Sequence, residues 1–308
     1  MREKVNGFVG VMAVAILCMV SGLCMVWGIA PVVLAVYVAA CAVCGRYMIT
    51  CIGCAAGVAA GSMGIAGLLH AYEYMIPGPV YSGVMVTEKY LVLLGLAMCL
   101  MKIVYSRNSR SYVRVIVVMS AAVLMGNIVV YADNMLMAAA YGVVEAVIFM
   151  CASVILKPGI GLLYTYICGD ASDVERDESW NISQGIVSLM ALAAVVLWVV
   201  PGEDIYGVNP AFMLALVLIL YAVYRTGAVY GCGMAAVAGS IVSVKLNDSR
   251  WLMWMLLVTL VMLIGRALTG RRKVSASLFY VLGCVLASVA DGTVLWNGSG
   301  REIAFYYI

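Results

Sequence analysis

The stretch CIGCAAGVAAG, Cys51–Gly61, places glycines at four-residue intervals, at Gly53, Gly57 and Gly61. It also contains a Cys-x-x-Cys pair, and a second such pair begins just upstream at Cys41. The glycine spacing is typical of a helix face that packs closely against another helix in a membrane, while paired cysteines indicate a metal or redox site. The solvent around the stretch decides between the two interpretations.

Composition indicates which solvent surrounds the chain. Hydrophobic residues make up 66% of its 308 residues, charged residues only 11%, and the mean hydropathy is +1.09. A water-soluble domain is much more polar, and an apolar run of about 20 residues can cross a hydrocarbon core of about 30 Å as a helix. We therefore predict an all-α, polytopic transmembrane helix bundle with the lipid bilayer as its partner. The 18 Lys and Arg are spread over short loops, which argues against nucleic acid.

Apolar runs recur along the whole chain and predict about ten or eleven membrane spans, eleven if every run crosses and ten if one is re-entrant. The first run follows Arg2 and Lys4 without a clean small-residue cleavage site, so we interpret it as a retained span and not as a signal peptide. The predicted spans are 7–27, 29–45, 47–69, 84–104, 112–131, 134–156, 183–200, 209–225, 226–244, 251–269 and 274–292.

Basic residues fall mainly on one side of this predicted topology, and cytoplasmic loops are the ones that collect Lys and Arg. The amino terminus is therefore predicted to be cytoplasmic. Lys245 and Arg250 are exceptions, because the same topology puts them on the outer side. The predicted cytoplasmic basic residues are Arg46, Lys102, Arg107, Arg110, Arg114, Lys157, Arg225, Arg271, Arg272 and Lys273.

The longest polar stretch is ICGDASDVERDESWNIS, residues 167–183. It divides the chain into a first group of about six spans at 1–169, an acidic connector at 170–182 and a second group of four or five spans at 183–308. The connector is interpreted as a solvated loop or, alternatively, as a loop that docks a partner.

In a membrane, the glycines of the opening stretch are easier to explain than its cysteines. Zinc would require four thiolates at a helix turn that contains Arg46, without a nearby carboxylate to orient them, so no metal site is predicted. Gly53, Gly57 and Gly61 instead form a small-residue strip on one helix face, which packs within the monomer or between copies, and we favour the monomer. A matching strip lies at Gly227, Gly231, Ala235 and Gly239.

Few polar residues lie within the predicted spans. Glu145, in AAAYGVVEAVIFM, is clearly at mid-span, where a charge is costly, and predicts a hydrogen-bonded structural role or a proton or ion path. Glu88 and Lys89 are expected to pair with each other or to reach the interface. His70 is expected in an interfacial aromatic belt. The sequence shows no catalytic or cofactor motif, so the chain itself is predicted to be non-catalytic.

Several stretches together resemble one known family, the amino-terminal membrane domain of stage II sporulation protein E of endospore-forming bacteria. The similar segments are MVWGIAPVVLAVYVAA with the basic turn Gly45–Arg46 and CIGCAAGVAAG, then NISQGIVSLMAL, GCGMAAVAGSIVS and IGRALTGRRKVSASLFYVLG. Together they extend over nearly the whole chain.

The resemblance implies a bacterial membrane module that anchors, oligomerises and localises a protein at the polar division septum, where it would meet division proteins. In that family a cytoplasmic region and a metal-dependent serine/threonine phosphatase domain follow the membrane domain. This chain ends at EIAFYYI without such a region, so the resemblance implies an incomplete version of the family's chain.

A transporter or a substrate-binding membrane component is the alternative prediction. The two small-residue strips each follow an Arg, at Arg46 and Arg225, as in an internal duplication, and transporters are commonly built from repeats. This alternative expects binding or flux of a ligand to depend on Glu145.

Overall fold

The computed structural model describes residues 2–23, 31–64, 83–103, 109–131, 134–168, 182–200, 209–269 and 273–290. These residues form helices and short turns, and no strand occurs among them. The helices are α1 (Arg2–Leu23), α2 (Pro31–Cys44), α3 (Tyr47–Gly64), α4 (Gly83–Ile103), α5 (Ser109–Val130), α6 (Met135–Cys168), α7 (Ile182–Val199), α8 (Pro210–Arg225), α9 (Ala228–Leu246), α10 (Arg250–Thr269) and α11 (Lys273–Ala290).

The predicted all-α class is confirmed for the described part of the chain, and each predicted span overlaps one helix. Four of the helices are long and apolar enough to cross a membrane: α5, α6, α9 and α10. The apolar segments of α1, α2, α3, α7, α8 and α11 are 10–17 residues long. The described structure therefore contains four candidate membrane spans.

The helix α6 corrects the predicted span 134–156, which ends too early. Pro158 lies inside this helix, which continues for ten further residues to Cys168. A proline removes one backbone donor and disturbs the preceding turn, which usually ends a helix. Here the following N–H, that of Gly159, donates to the hydroxyl of Ser188 on α7 at 2.5 Å. This bond joins α6 to α7 directly after the proline.

The described chain divides into two compact units, Met1–Leu192 and Ala193–Ile308. The division falls inside α7, after the predicted connector 170–182, which itself lies outside the described residues. In the first unit α2 is the most enclosed helix, because every residue from Pro31 to Cys41 is buried. It contacts α1, α3, α4 and α6. A helix that is apolar on all sides, without one charged residue, fits such a position.

The second unit contains α8 to α11, and its turns follow standard helix-end chemistry. Asn209 caps the start of α8, where its side chain accepts a hydrogen bond from the backbone N–H of Phe212 at 3.0 Å, and Pro210 takes the first helical position. Gly227, with φ of 110°, makes the turn from α8 to α9. Asn247, with φ of 50°, ends α9 in the left-handed conformation.

Candidate functional site

Three polar side chains from three helices meet inside the first unit. The ammonium of Lys89 on α4 lies 2.8 Å from Oε2 of Glu145 on α6 and donates to Oδ1 of Asn127 on α5 at 3.1 Å. The amide Nδ2 of Asn127 donates to the same Oε2 at 2.6 Å and to the carbonyl of Val123 at 3.1 Å. We call Lys89, Asn127 and Glu145 the polar triad.

The polar triad is well shielded. Asn127 is fully buried, and the side chains of Lys89 and Glu145 retain 4% and 19% of their exposure. Each member satisfies the two others, so the ammonium and the carboxylate are both hydrogen-bonded as well as paired. A buried charge pair is tolerated when its geometry is good and its remaining polar atoms have partners.

The backbone explains how the triad comes together. At about 1.5 Å per residue, Lys89 lies about 9 Å from the start of α4, Asn127 about 5 Å from the end of α5, and Glu145 about 15 Å from the start of α6. These three helix ends lie on the same side of the unit. The aliphatic stem of Lys89 crosses Gly126, where an added Cβ would lie 3.3 Å from its carbons. A glycine at this position lets the lysine pass close to α5.

Tyr90 extends the triad. Its ring lies 4.7 Å from the Lys89 ammonium, within the range of a cation–π contact. The residue is fully buried, and its hydroxyl lies near the Glu145 carboxylate without a hydrogen bond of good geometry to the described residues. The charge on Glu145 acts on this hydroxyl, which places the phenol in the same polar neighbourhood.

The triad corrects one expectation of the sequence. Lys89 was expected to pair with Glu88 or to reach an interface, but Lys89 points inward to Glu145 while Glu88 is exposed. The two partners are 56 positions apart, so helix spacing cannot reveal them. An asparagine within the apolar run of α5 was the available signal, since a buried amide needs partners.

The first glycine strip lies against α1 in the same chain. A Cβ added to Gly53 would lie 2.7 Å from the carbonyl oxygen of Ala15, and one added to Gly57 would overlap the carbonyl oxygen of Met19. From the other side, a Cβ on Gly22 would lie 2.5 Å from the carbonyl carbon of Gly57. Gly61 is buried as well. The backbones of α1 and α3 therefore touch, as small residues allow.

The second strip lies against neighbours in the second unit. A Cβ added to Gly231 would lie 2.7 Å from Val223 on α8, and one added to Gly239 would lie 2.9 Å from Leu252 on α10. Ala235, between them, is fully buried. Gly227 belongs to the turn, where its positive φ favours glycine. The strip thus packs α9 against two helices at once.

The paired cysteines form no disulfide with one another or with other described residues. The Sγ of Cys41 lies 3.2 Å from the hydroxyl of Thr50, which in turn donates to the backbone carbonyl of Arg46. Among the described residues, no group of three or more His, Cys, Asp or Glu side chains is arranged to hold a metal ion.

Two further basic side chains donate hydrogen bonds to backbone carbonyls at helix ends in the second unit. Lys245 donates to the carbonyls of Leu197, at 3.0 Å, and Val200 at the end of α7, and Arg266 donates to the carbonyl of Val223 at the end of α8. The last carbonyls of a helix lack partners within it and carry partial negative charge, so a cation stabilises them. This gives Lys245, an exception to the predicted charge distribution, a local structural reason.

Arg250, the other exception, lies beside an acid. Its guanidinium is 2.7 Å from Oδ2 of Asp248, and both groups are at the surface. Hydrogen bonds from Arg250 hold the pKa of the Asp248 carboxyl below its ordinary value. The pair is confined to the turn between α9 and α10 and neutralises the charge there.

Lys157, predicted at the cytoplasmic end of a span, instead lies within α6, where its ammonium is 4.6 Å from the centre of the Tyr112 ring. The remaining predicted basic residues that are described lie at helix ends, among them Arg225 at the end of α8. Arg46 is exposed between α2 and α3, Lys102 is exposed in the last turn of α4, and Arg110 and Arg114 are exposed at the start of α5. Lys273 begins α11. Arg107, Arg271, Arg272 and His70 lie outside the described residues.

Within the described residues, the glycine strips and the basic side chains at helix ends join neighbouring helices, and the polar triad brings an acid and a base together beside the buried phenol of Tyr90. Comparison with protein-family models, with curated proteins and with solved structures finds no match.

Proposed function

We propose that the chain is a polytopic, multi-pass membrane module of about ten or eleven spans that serves as a non-catalytic anchor. The observation that carries this proposal is the distribution of polarity. Lys89 and Asn127 are buried inside the first unit, whereas Val117 and Val129 on α5 are 57% and 76% exposed. Large apolar side chains outside and charges inside are what a lipid solvent requires.

The helix ends support a cytoplasmic amino terminus within the proposal. Exposed basic residues lie between α2 and α3, at the end of α4 and at the start of α5, and α8 ends with Arg225. If each helix crosses the bilayer once, all these points are on the side of the amino terminus, where Lys and Arg collect. Lys245 and Arg250 fall on the opposite side, and the bonds described above account for both.

The resemblance to the membrane domain of stage II sporulation protein E supplies the finer part of the proposal. It suggests self-association and location at the polar division septum of a sporulating bacterium, with division proteins as partners. Both glycine strips already lie against helices of the same chain. Self-association in this proposal therefore uses other surfaces of the molecule.

Anchoring is tested by expressing the chain fused to a fluorescent protein in sporulating and in vegetative cells. The proposal expects an alkali-resistant membrane fraction and a signal enriched at the polar septum. A matched control is a fusion to an unrelated multi-pass protein of similar size. A uniform signal indistinguishable from this control would remove the septal part, and release by alkali would remove the membrane part.

A transporter or substrate-binding component is a second candidate, favoured by the polar triad. A buried ion pair in an apolar bundle is the kind of group that lines ion and substrate paths. The test is flux of a broad ligand panel in proteoliposomes, with the wild-type chain and with Glu145→Gln. Flux that depends on Glu145 supports this candidate, whereas wild-type flux no greater than that of empty liposomes speaks against it.

A further inference from the structure

We propose that Arg110 and Arg114 on α5 bind the phosphate of an anionic phospholipid, whose acyl chains lie along the exposed apolar face of the same helix. The inference rests on the proposed membrane function, because it needs a bilayer around α5. It stands on the positions of the two arginines, on the packing of Tyr112 and on the distribution of charge at this end of the first unit.

Tyr112 fixes which way the start of α5 faces. Its side chain is buried, its hydroxyl donates to the backbone carbonyl of Ser153 on α6 at 2.7 Å, and its ring centre lies 4.6 Å from the ammonium of Lys157. These contacts hold the Tyr112 face of α5 against α6. Arg110 and Arg114, each two residues away from Tyr112, lie roughly 160° from it around the helix axis. Both arginines are exposed, on the side of α5 that faces away from α6.

The two arginines share one face of α5. Arg114 follows Arg110 by four residues, and side chains at this spacing are neighbours on a helix surface. A guanidinium group donates paired N–H groups to phosphate oxygens in a planar geometry that an ammonium group lacks. Two guanidinium groups one helical turn apart can therefore bind the oxygens of a single phosphate.

The face that carries the arginines continues along α5 as apolar surface. Val117, Ala121 and Met125 follow Arg114 at spacings of three or four residues, and all three are exposed. A phospholipid whose phosphate lies at the arginines would lay its acyl chains along these side chains. A basic helix end above an apolar face matches both parts of such a lipid, whereas a free phosphate ion would use the arginines alone.

Charge at this end of α4, α5 and α6 is positive among the described residues. The helix α5 contains no Asp or Glu. Glu88 lies about 21 Å along α4 from Lys102, and Glu145 lies about 18 Å along α6 from Lys157, which is level with Tyr112. Lys102, exposed in the last turn of α4, adds a further positive charge. Anionic lipids of the cytoplasmic leaflet are attracted to such basic helix ends.

The test is native mass spectrometry of the purified full chain, released from micelles that contain equal amounts of phosphatidylglycerol and phosphatidylcholine. The inference expects the wild-type chain to retain phosphatidylglycerol in preference to phosphatidylcholine. Arg110→Gln and Arg114→Gln should each lower the retention of phosphatidylglycerol by roughly five-fold, as expected for the loss of one basic residue near a membrane surface. Equal retention of the two lipids by the wild-type chain would overturn the site.

Arg46→Gln is the matched control, because Arg46 is also exposed but lies in the turn between α2 and α3. Its retention of phosphatidylglycerol should equal that of wild type, and a loss as large as in Arg110→Gln would contradict a defined site. Inorganic phosphate in large excess should leave the lipid bound, and displacement would contradict the role of the apolar face. Release of the wild-type chain from membranes by alkali would overturn the proposed membrane function, which this experiment keeps separate from lipid preference.

Discussion

The ammonium of Lys89 and the carboxylate of Glu145 form a 2.8 Å ion pair between helices α4 and α6, and Asn127 of α5 bonds to both. Breaking such a pair from one side leaves the other charge uncompensated. We expect Glu145→Gln to destabilise the chain, and Lys89→Met to do the same. The coupling free energy in a double-mutant cycle should be on the order of 1–3 kcal/mol.

This cycle is measured by reversible unfolding in mixed detergent micelles. Glu88→Gln is the control, because Glu88 is the exposed neighbour of Lys89. It should change the free energy of unfolding by less than about 0.5 kcal/mol. Additive effects of the two triad substitutions would show that the pair contributes nothing to stability.

Gly57 is expected to tolerate no side chain. An alanine Cβ there would overlap the backbone carbonyl of Met19, which cannot rotate away, so α1 and α3 must separate. Overpacking of this kind costs about 1–3 kcal/mol. Gly95 is the matched control, since it also lies in a helix but has nothing within 4 Å of an added Cβ. Gly95→Ala should stabilise by about 0.5–1 kcal/mol through helix propensity.

The measurement for the two glycines is thermal unfolding of the purified variants in the same detergent. Equal effects of Gly57→Ala and Gly95→Ala would contradict the close contact of α1 with α3.

Lys245→Met should destabilise the second unit. The substitution leaves the carbonyls of Leu197 and Val200 without their charged donor. Hydrogen bonds to charged groups contribute about 1.5–3 kcal/mol each to stability. We expect a smaller loss in Lys245→Met, because Lys245 is only half-buried. Arg250→Met, which removes an exposed ion pair, should have a smaller effect.

The stability of both variants is compared with wild type by hydrogen exchange of α7 and α9 amides. Faster exchange in Lys245→Met than in Arg250→Met is the expected order.

The Asp248–Arg250 pair also makes stability depend on pH. Its small contribution to stability is present above the ordinary pKa of an aspartate and disappears as the pH falls through the lowered pKa of Asp248. Arg250→Met should therefore have less effect at low pH than at neutral pH.

Ser188→Ala should weaken the joint between α6 and α7. The Ser188 hydroxyl accepts the N–H of Gly159 directly after Pro158, at a site with 1% exposure. An unsatisfied buried N–H costs about 1–3 kcal/mol. Ser120→Ala is the control, because within the described part of the chain the Ser120 hydroxyl bonds to the carbonyl of Ile116 in its own helix and to no other helix. Hydrogen exchange around residue 159 should rise in Ser188→Ala and stay unchanged in Ser120→Ala.

Much of the architecture could be predicted from the sequence because apolar runs are local signals. Each predicted span overlaps a helix, and the turn glycines and the cap at Asn209 lie where such residues usually stand. The end of α6 was missed because Pro158 normally ends a helix. After the proline, the N–H of Gly159 bonds to Ser188, 29 positions away. No local pattern contains that contact.

The candidate site was only half predictable. Glu145 stood out as an acid inside an apolar run, but its partners did not. Lys89 lies next to Glu88 in sequence, which favoured a local pair, and the packing of three helices turned it the other way. The roles of Lys245 and Arg266 at helix ends were also hidden, since each carbonyl that accepts their hydrogen bonds belongs to another helix.

Labelling at the two ends of α5 tests whether these helices cross a membrane. Single cysteines replace Arg110 and Met135, exposed residues on either side of α5 and its following turn, in a chain whose 11 native cysteines have been removed. An impermeant maleimide is applied to intact and to permeabilised cells. If α5 spans the bilayer, one position is labelled from outside and the other only after permeabilisation. Labelling of both positions from the same side would contradict it.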